Sequence, residues 1–339
     1  MTALDISVII PAYNAAGTLP AVLNALQAQD LDRRQFEVLV VDDGSTDATP
    51  DRLKAFAAGT KLNFSWWRRD RSRSFGPAAA RNEALARAAG RVIAFTDADC
   101  VPDPDWLRTI RRSVIDEKWA IVGGEVRTDD FQIFPWKVAP AGHVGVTANL
   151  ACDAAKLGRL RFSEDFRGAG CEDADLIMAA KKMGFPLHYE PRMKVLHPVN
   201  TVTVRAALRR AFWRGENDVM LRRRHDPREL DPKKMSWLTR PLLFGRVSPL
   251  ALAAAALLLA AIMLLGRPAL LGAFAAILLV GGSAVLLLGF YRLYPIPAAD
   301  RHRVTWQDKL KTLFLAWTYV SVLLCGRIAG SVKYRYLII

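Results

Sequence analysis

Short apolar runs alternate with amphipathic stretches in the N-terminal part of the chain. The runs are rich in β-branched and aromatic residues and predict strands at 6–10, 36–41, 64–67 and 92–95. The intervening stretches predict helices at 18–27, 48–57 and 77–89. Because strands and helices alternate, we expect an α/β domain with a mostly parallel sheet and right-handed crossovers.

The pattern is less regular after the fourth strand. It predicts a helix at 104–112, a strand at 120–126, a helix from 171 to about 183, short strands at 186–189 and 193–197, and a long basic helix at 202–224. Residues 129–170 mix aromatic and polar positions with little periodicity. A long loop inside a compact domain is often functional, so we expect this segment to carry function.

The composition changes abruptly after Arg246. The runs 247–266 and 268–291 are 20 and 24 residues long, and neither contains a charged residue. Each is long enough to cross the hydrocarbon core of a bilayer, so the pattern predicts an α-helical membrane hairpin. A third apolar helix, at about 312–332, is predicted as a short span, a re-entrant helix or an interfacial helix. We therefore expect a catalytic domain at 1–225, a basic juxtamembrane linker at 226–246 and a membrane region at 247–339.

Positive charge flanks the predicted hairpin on one side only. Eight arginines and lysines lie between 222 and 246, and more follow the second run, whereas Arg267 alone lies in the connecting turn. The positive-inside rule then predicts a multi-pass protein of a bacterial-type inner or plasma membrane, with its N-terminal domain in the cytosol. The N-terminus does not have the pattern of a signal peptide.

The net charge of +14 favours anionic partners, such as nucleic acid, anionic lipid or phosphorylated substrates. Four cysteines form no CxxC pair, so we expect free thiols and neither a disulfide framework nor a zinc site.

Three acidic groups stand where a ligand site would form. Asp97 and Asp99 follow the strand at 92–95, Asp43 follows the strand at 36–41, and Glu172 and Asp173 open the helix at 171. Ligands of open α/β sheets bind at the carboxyl ends of the strands, and paired carboxylates there suit a Mg²⁺ or Mn²⁺ ion that carries a diphosphate. Each group taken alone is also typical of a turn, an N-cap or a first-turn acid.

Five motifs in series resemble those of the family 2 glycosyltransferases, which have the GT-A fold. They are VIIPAYN at 8–14, VDDGSTD at 41–47, ARN at 80–82, DAD at 97–99 and GCEDADL at 170–176. The resemblance covers residues 5 to 225 and implies a Rossmann-like GT-A sheet domain. It also implies an inverting transfer of a sugar from a nucleotide-diphosphate donor, expected to be a UDP-sugar, with a divalent metal, Mn²⁺ or Mg²⁺, as cofactor.

The resemblance implies donor contacts for five residues. Pro11, Tyr13 and Asp43 would line the nucleobase pocket, and Asp43 would accept a hydrogen bond from the base. Arg81 would stand near the donor phosphates, and Asp97 would hold the ribose or the donor sugar.

The resemblance assigns metal binding and proton transfer to other residues. Asp99 would bind the metal, Asp173 would be the general base, and Glu172 would lie beside it in the donor site. His197 would stand near the diphosphate as a further metal ligand, although a histidine satisfied at a strand end fits the pattern as well.

Arg210 and Arg214 loosely resemble a segment of polymer-forming synthases and would then contact the donor. A basic helix on anionic lipid explains these two arginines better.

The leading hypothesis is a membrane-anchored inverting glycosyltransferase of cell-envelope glycan synthesis with a lipid-linked or polysaccharide acceptor. The segment 129–170, including Asn149, is expected to choose that acceptor. A polyprenyl-phosphate sugar synthase and a non-catalytic basic membrane-binding module with a degenerate site are the alternatives. A nucleotidyltransferase would need a glycine-rich basic loop after the first strand, and residues 11–17 do not form one. We expect no nucleic-acid partner.

Overall fold

The computed structural model describes residues 4–70, 76–129, 144–158, 160–198, 203–225 and 305–335. The chain divides into two compact units, Met1–Asp130 with Val138–Thr201 and Phe131–Lys137 with Val202–Ile339. The long basic helix after residue 202 therefore falls in the second unit, whereas the sequence grouped it with the domain at 1–225.

The first unit is built from one mixed sheet and the helices that cover it. Its strands are β1 (Ile6–Ala12), β2 (Phe36–Asp42), β3 (Asn63–Arg68), β4 (Val92–Phe95), β5 (Val101–Pro102), β6 (Ile121–Arg127), β7 (Leu150–Asp153) and β8 (Leu187–Leu196). Its helices are α1 (Leu19–Gln27), α2 (Thr49–Gly59), α3 (Pro77–Leu85), α4 (Trp106–Arg111), α5 (Ala154–Leu157) and α6 (Glu172–Lys182). A π-helical turn (Arg112–Asp116) extends α4, and a 3-10 turn (Thr147–Asn149) precedes β7.

The strand order is β3-β2-β1-β4-β7-β6-β8-β5. β3, β2, β1 and β4 are mutually parallel, as predicted. β7 runs antiparallel to both β4 and β6, β5 runs antiparallel to β8, and β6 pairs with β8 in parallel. The prediction of a mostly parallel sheet therefore holds for one half of the sheet, and the other half is mixed. β5 and β7 were not predicted, because β5 has only two residues and β7 lies in the segment 129–170, which has little periodicity.

Both faces of the sheet are buried, which explains the continuous apolar runs of its central strands. In β1, Val8 and Ile10 join the core under α1, α2 and α4, whereas Ile9 joins the core under α3 and α6. The predicted strands at 186–189 and 193–197 form the single strand β8, which is interrupted by a register shift opposite Gly124 and Glu125.

The described part of the second unit is a pair of packed helices, α7 (Val204–Arg224) and α8 (Trp306–Tyr334). They approach closely at glycines, because a Cβ on Gly326 would lie 2.0 Å from the Phe212 carbonyl oxygen. Two ion pairs join the helices, Lys333 to Glu216 at 2.7 Å and Arg327 to Asp218 at 2.8 Å.

Among the described residues, no helix combines the length and the apolar character that crossing a membrane requires. The predicted spans at 247–266 and 268–291 and the linker at 226–246 lie outside the described residues. The third apolar helix, predicted at 312–332, lies within α8.

Candidate active site

The carboxyl ends of β2, β1 and β4 form one edge of the sheet. β1 lies between the other two strands, with Ala12 opposite Asp42 and Ile9 opposite Phe95. Just beyond the strands, the Asp43 amide donates to the Ala12 carbonyl at 2.7 Å. The chain continues from β1 to β2 on one side and returns to β4 on the other, so this edge is the switch point where open α/β sheets bind ligands. Asp43 and the DAD motif therefore flank β1 at this edge.

The loops after β1 and β2 are held to each other by hydrogen bonds. The Asn14 amide donates to Ser45 Oγ at 2.9 Å, and the Thr46 amide donates to Asn14 Oδ1 at 2.8 Å. Tyr13 is exposed beside them, at 44%. Pro11, which was also predicted to contact the nucleobase, is partly buried near the end of β1.

Asp43 is buried and forms an ion pair with Arg69, which the sequence did not identify. The pair follows from the sheet register, which only the structure shows: Asp42 pairs with Arg68, so Asp43 and Arg69 are neighbours. Arg69 Nε also lies 3.6 Å from Glu83 on α3. The role of Asp43 toward a base stays a prediction.

Arg81 joins two of the predicted acidic groups. It lies on α3 with its side chain 3% exposed, and it donates to Asp97 Oδ1 at 2.8 Å and to Glu172 Oε1 at 3.1 Å. Burial alone would lower the pKa of the guanidinium, but Asp97 and Glu172 outweigh it and raise the pKa, so the charge is retained. A guanidinium presents donors in a planar fork that spans two carboxylates. Contact of Arg81 with phosphate stays a prediction, whereas its contact with the two acids is observed.

Asn82 fixes the segment that leads to the third acidic group. Its side chain donates to the Phe162 carbonyl at 2.8 Å and accepts from the Phe162 amide at 2.9 Å. The Arg81 guanidinium lies 5.4 Å from the centroid of the Phe162 ring. Arg81 and Asn82, which are consecutive on α3, therefore hold Glu172 and the segment around Phe162 that precedes it.

Three acids in the first turn of α6 differ in how deeply they are buried. Cys171 precedes the helix in the left-handed region, with a φ of 74°. Glu172 is buried and accepts from the Gly170 amide at 2.6 Å, and Asp175 is buried as well. Asp173 is only partly buried, and its Oδ1 accepts from the Ala174 amide at 2.8 Å. Asp173 is thus the least buried of the three acids of this turn.

One group of side chains in the described part of the chain could hold a metal ion. It comprises Asp99, Cys100 and His197, whose ligand atoms lie within 4.8 Å of one another. His197 Nε2 lies 3.6 Å from Asp99 Oδ1, and its Nδ1 lies 3.1 Å from the Pro198 carbonyl oxygen. The two predicted metal ligands are therefore brought together, although the ion itself stays a prediction.

The donor set fits a hard divalent cation with one nitrogen ligand. Burial raises the pKa of the Cys100 thiol well above its usual value, so the thiol stays protonated and is a poor ligand. Burial also raises the pKa of the Asp99 carboxyl, which His197 opposes and Asp97 reinforces. A carboxylate suits both Mg²⁺ and Mn²⁺, and an imidazole is a transition-metal ligand, so the pair favours Mn²⁺.

Two further predictions from the sequence concern residues away from the acidic groups. Arg210 and Arg214 are exposed on α7 in the second unit, and their contact with a donor stays a prediction. Asn149 was expected to help choose the acceptor, but it is fully buried and its side chain is engaged by neighbouring elements. Its side chain is therefore not exposed for contact with an acceptor in this structure, and the choice of acceptor by the segment 129–170 stays a prediction.

The mixed sheet of the first unit has the GT-A fold. Residues 7–164 match the family model described as glycosyl transferase family 2. Over this part, just under half of the chain, the protein is therefore similar to the glycosyl transferase family 2.

Curated proteins to which the chain is similar include glycosyltransferases. The chain is 36% identical over 121 residues to glycosyltransferase AglE of Haloferax volcanii, which covers 36% of this chain and 39% of that protein. It is 38% identical over 96 residues to poly(ribitol-phosphate) beta-N-acetylglucosaminyltransferase TarS of Staphylococcus aureus, which covers 28% of this chain and 16% of TarS. The chain thus matches less than half of the length of either relative.

Solved structures share the fold. Mannosyltransferase PcManGT from Pyrobaculum calidifontis, in complex with GDP-Man and Mn²⁺, superposes with a TM-score of 0.60 at 23% identity, over 95% of this chain and 86% of that one. S. aureus TarS 1–349 in complex with UDP-GlcNAc superposes with a TM-score of 0.56 at 18% identity, over 99% of this chain and 93% of that one.

Proposed function

We propose that this protein is an inverting glycosyltransferase that uses a nucleotide-diphosphate sugar and a divalent cation, with Asp173 as its general base. The observation that carries the proposal is the ion-pair connection through Arg81. It ties Asp97 of the DAD motif to Glu172, the residue next to Asp173. Arg81 therefore connects the edge of the sheet where the donor would bind to the helix turn that carries the proposed base.

The residues divide the chemistry among them. Inversion requires that an acceptor hydroxyl attack the anomeric carbon from the face opposite the leaving diphosphate, and one carboxylate suffices to take its proton. Asp173 is the partly buried acid of its turn and fits that role. Asp97, with its side chain 31% exposed, keeps carboxylate surface for hydroxyls of the donor. Positive charge at the diphosphate stabilises the departing group.

Asp99 and His197 would hold the divalent cation, which supplies charge neutralisation to the diphosphate when it is bound. The two side chains offer an oxygen and a nitrogen 3.6 Å apart, and the diphosphate oxygens would complete the coordination. Mn²⁺ and GDP-Man in PcManGT and UDP-GlcNAc in TarS support this class of ligand. A UDP-sugar is the donor we propose.

The membrane part of the proposal rests on the sequence and on α8. Trp306, Phe314, Ile328 and Val332 are between 66% and 76% exposed, and helical geometry places them on one side of α8. An apolar helix face with a tryptophan suits the interface of a lipid bilayer. We propose a multi-pass protein of a bacterial-type plasma membrane with a cytosolic catalytic domain and a lipid-linked or polysaccharide acceptor.

Carbonate extraction of membranes tests the anchoring. A spanning hairpin at 247–291 keeps the protein in the pellet, and release into the supernatant would contradict the proposal. A comparison of polyprenyl phosphate with a lipid-linked saccharide as acceptor then separates the synthase alternative from transfer to a glycan.

The base is tested by Asp173→Asn, with Asp175→Asn as the control because it removes the same charge from the same helix turn. We expect Asp173→Asn to lower sugar transfer by about 10²–10⁴-fold, as loss of a general base does. Mn²⁺-dependent binding of UDP should persist in both variants. Transfer by Asp173→Asn at a near wild-type rate would refute the assignment.

A further inference from the structure

β8 contains an irregularity next to the candidate metal site. Along β6, Gly124 pairs with Glu190 but the next residue, Glu125, pairs with Lys194, so three residues of β8 are looped out. At about 3.3 Å per residue, the bulge draws the end of β8 back by about 10 Å relative to an uninterrupted register. Bulges of this kind re-aim side chains beside active sites.

The displaced strand end is what brings His197 to Asp99. With the bulge, Leu196 pairs with Arg127 of β6 and with Val101 of β5. The His197 amide then donates to the Arg127 carbonyl at 2.8 Å. If the register continued without the bulge, Arg127 would instead pair with Met193, and His197 would lie beyond the end of β6.

The buried side chain of Asn149 hydrogen-bonds to the backbone of β6 and β8 at the bulge. Its Nδ2 donates to the carbonyls of Glu125, at 2.9 Å, and Met193, at 2.8 Å, one on each of the two strands where the register shifts. Its Oδ1 accepts from Trp106 Nε1 at 2.8 Å. Asn149 is fully buried, so these bonds satisfy both donors and the acceptor of its amide. Gly124 leaves the room for it, since a Cβ there would lie 2.4 Å from Asn149 Nδ2.

The same turn also reaches the other half of the metal site. Ala148, next to Asn149, accepts a hydrogen bond from the Thr96 hydroxyl at 3.0 Å. Thr96 directly precedes Asp97 and the rest of the DAD motif. The turn at 147–149 is therefore bonded both to the segment that leads from β4 to Asp99 and to β8, which leads to His197.

We propose that Asn149 is a positioning residue that sets the distance between Asp99 and His197 by pinning the bulge in β8. This inference rests on the proposed function, because its consequence is expressed through the cation that the two residues would hold. Asn149 touches neither the cation nor the substrates, and it acts through backbone carbonyls of β6 and β8.

The test compares Asn149→Asp with Ser7→Ala in the full-length protein. Asn149→Asp keeps the shape but turns an acceptor toward two carbonyls, so the bulge loses both bonds. Ser7 is equally buried, and its hydroxyl joins Glu37 and the Gly90 amide near the start of β1, at the opposite end of that strand from the candidate site. Ser7→Ala therefore controls for the loss of buried hydrogen bonds alone.

Mn²⁺ titrations followed by the electron paramagnetic resonance of the free ion, with and without UDP, give the readout. We expect Asn149→Asp to weaken Mn²⁺ binding by about tenfold or more, the range for lost support of a metal ligand, whereas Ser7→Ala binds as wild type. A folded Asn149→Asp protein with wild-type Mn²⁺ affinity overturns the inference, as does an equal loss in Ser7→Ala. If Asn149→Asp does not fold, Trp106→Phe, which removes the donor to Asn149 Oδ1 together with part of a buried ring, should weaken binding in the same direction, and wild-type affinity in that variant overturns the inference.

A metal-independent measurement separates this inference from the proposed function. If the wild type itself binds no Mn²⁺, the proposed metal dependence fails, and the ring proton resonances of the histidines decide the positioning role. The resonance assigned to His197 should then move in Asn149→Asp while that of His188 stays in place. An unmoved His197 resonance overturns the inference.

Discussion

Removal of the Arg81 guanidinium tests how strongly the acids of the candidate site depend on their shared cation. The side chains of Arg81 and Glu172 are 3% and 4% exposed, and that of Asp97 is 31% exposed. Arg81→Met retains much of the side-chain volume but leaves both carboxylates without this cation. Removing one partner of a buried ion pair costs about 3–5 kcal/mol. Because Asp97 is partly hydrated, we expect the lower end, about 3 kcal/mol of unfolding free energy.

Glu172→Gln should cost less than Arg81→Met. The neutral amide can accept from Arg81 or from the Gly170 amide, but it cannot serve both without turning its own donor toward one of them. Exchanging a charged for a neutral hydrogen bond and losing one acceptor costs about 2 kcal/mol. In the double variant the buried carboxylate that needed the cation is gone, so its loss should be smaller than the sum of the two single losses.

Urea unfolding of the full-length protein in detergent, followed by tryptophan fluorescence, measures these losses. Arg87→Met is the matched control, since Arg87 is half exposed and its pair with Glu83 is a surface ion pair. Surface pairs contribute about 0–1 kcal/mol, so the control should change little. If Arg81→Met loses no more than Arg87→Met, or if the single losses are additive, the reasoning about the shared cation is wrong.

Three further predictions concern other parts of the molecule. Asp99→Asn and His197→Gln should each weaken Mn²⁺ binding in a calorimetric titration with UDP, and unchanged affinity in both would exclude this metal site. Gly326→Ala should destabilise the α7–α8 pair by about 1–3 kcal/mol in urea, because its Cβ meets the Phe212 carbonyl, whereas Gly59→Ala, with nothing within 4 Å, should not. Burial would raise the pKa of Glu190, but hydrogen bonds from Arg192 outweigh it and lower the pKa. Its contribution to stability is therefore complete above the ordinary glutamate pKa and lost as pH falls through the lower folded value, so Glu190→Gln should flatten the acid side of the stability profile.

The sequence by itself determined the parallel half of the sheet and the acids at its edge. β1, β2 and β4 are buried on both faces, so their apolar runs stand out without knowledge of any partner strand. Asp43 and Asp97 follow directly from where those runs end. A local signal was sufficient for these positions, because parallel strands that share an edge bring their carboxyl ends together.

Only the tertiary structure decided how the acids are connected. The Arg81–Glu172 contact joins residues 91 positions apart, and no local pattern records it. β7 has four residues and finds its place between β4 and β6 only through antiparallel pairing. Asn149 was predicted to lie in a loop that chooses the acceptor, but the packing of β6, β8 and α4 buries it. Sequence periodicity reports which face of an element is buried, whereas the partners of a buried polar group depend on which distant strands meet there.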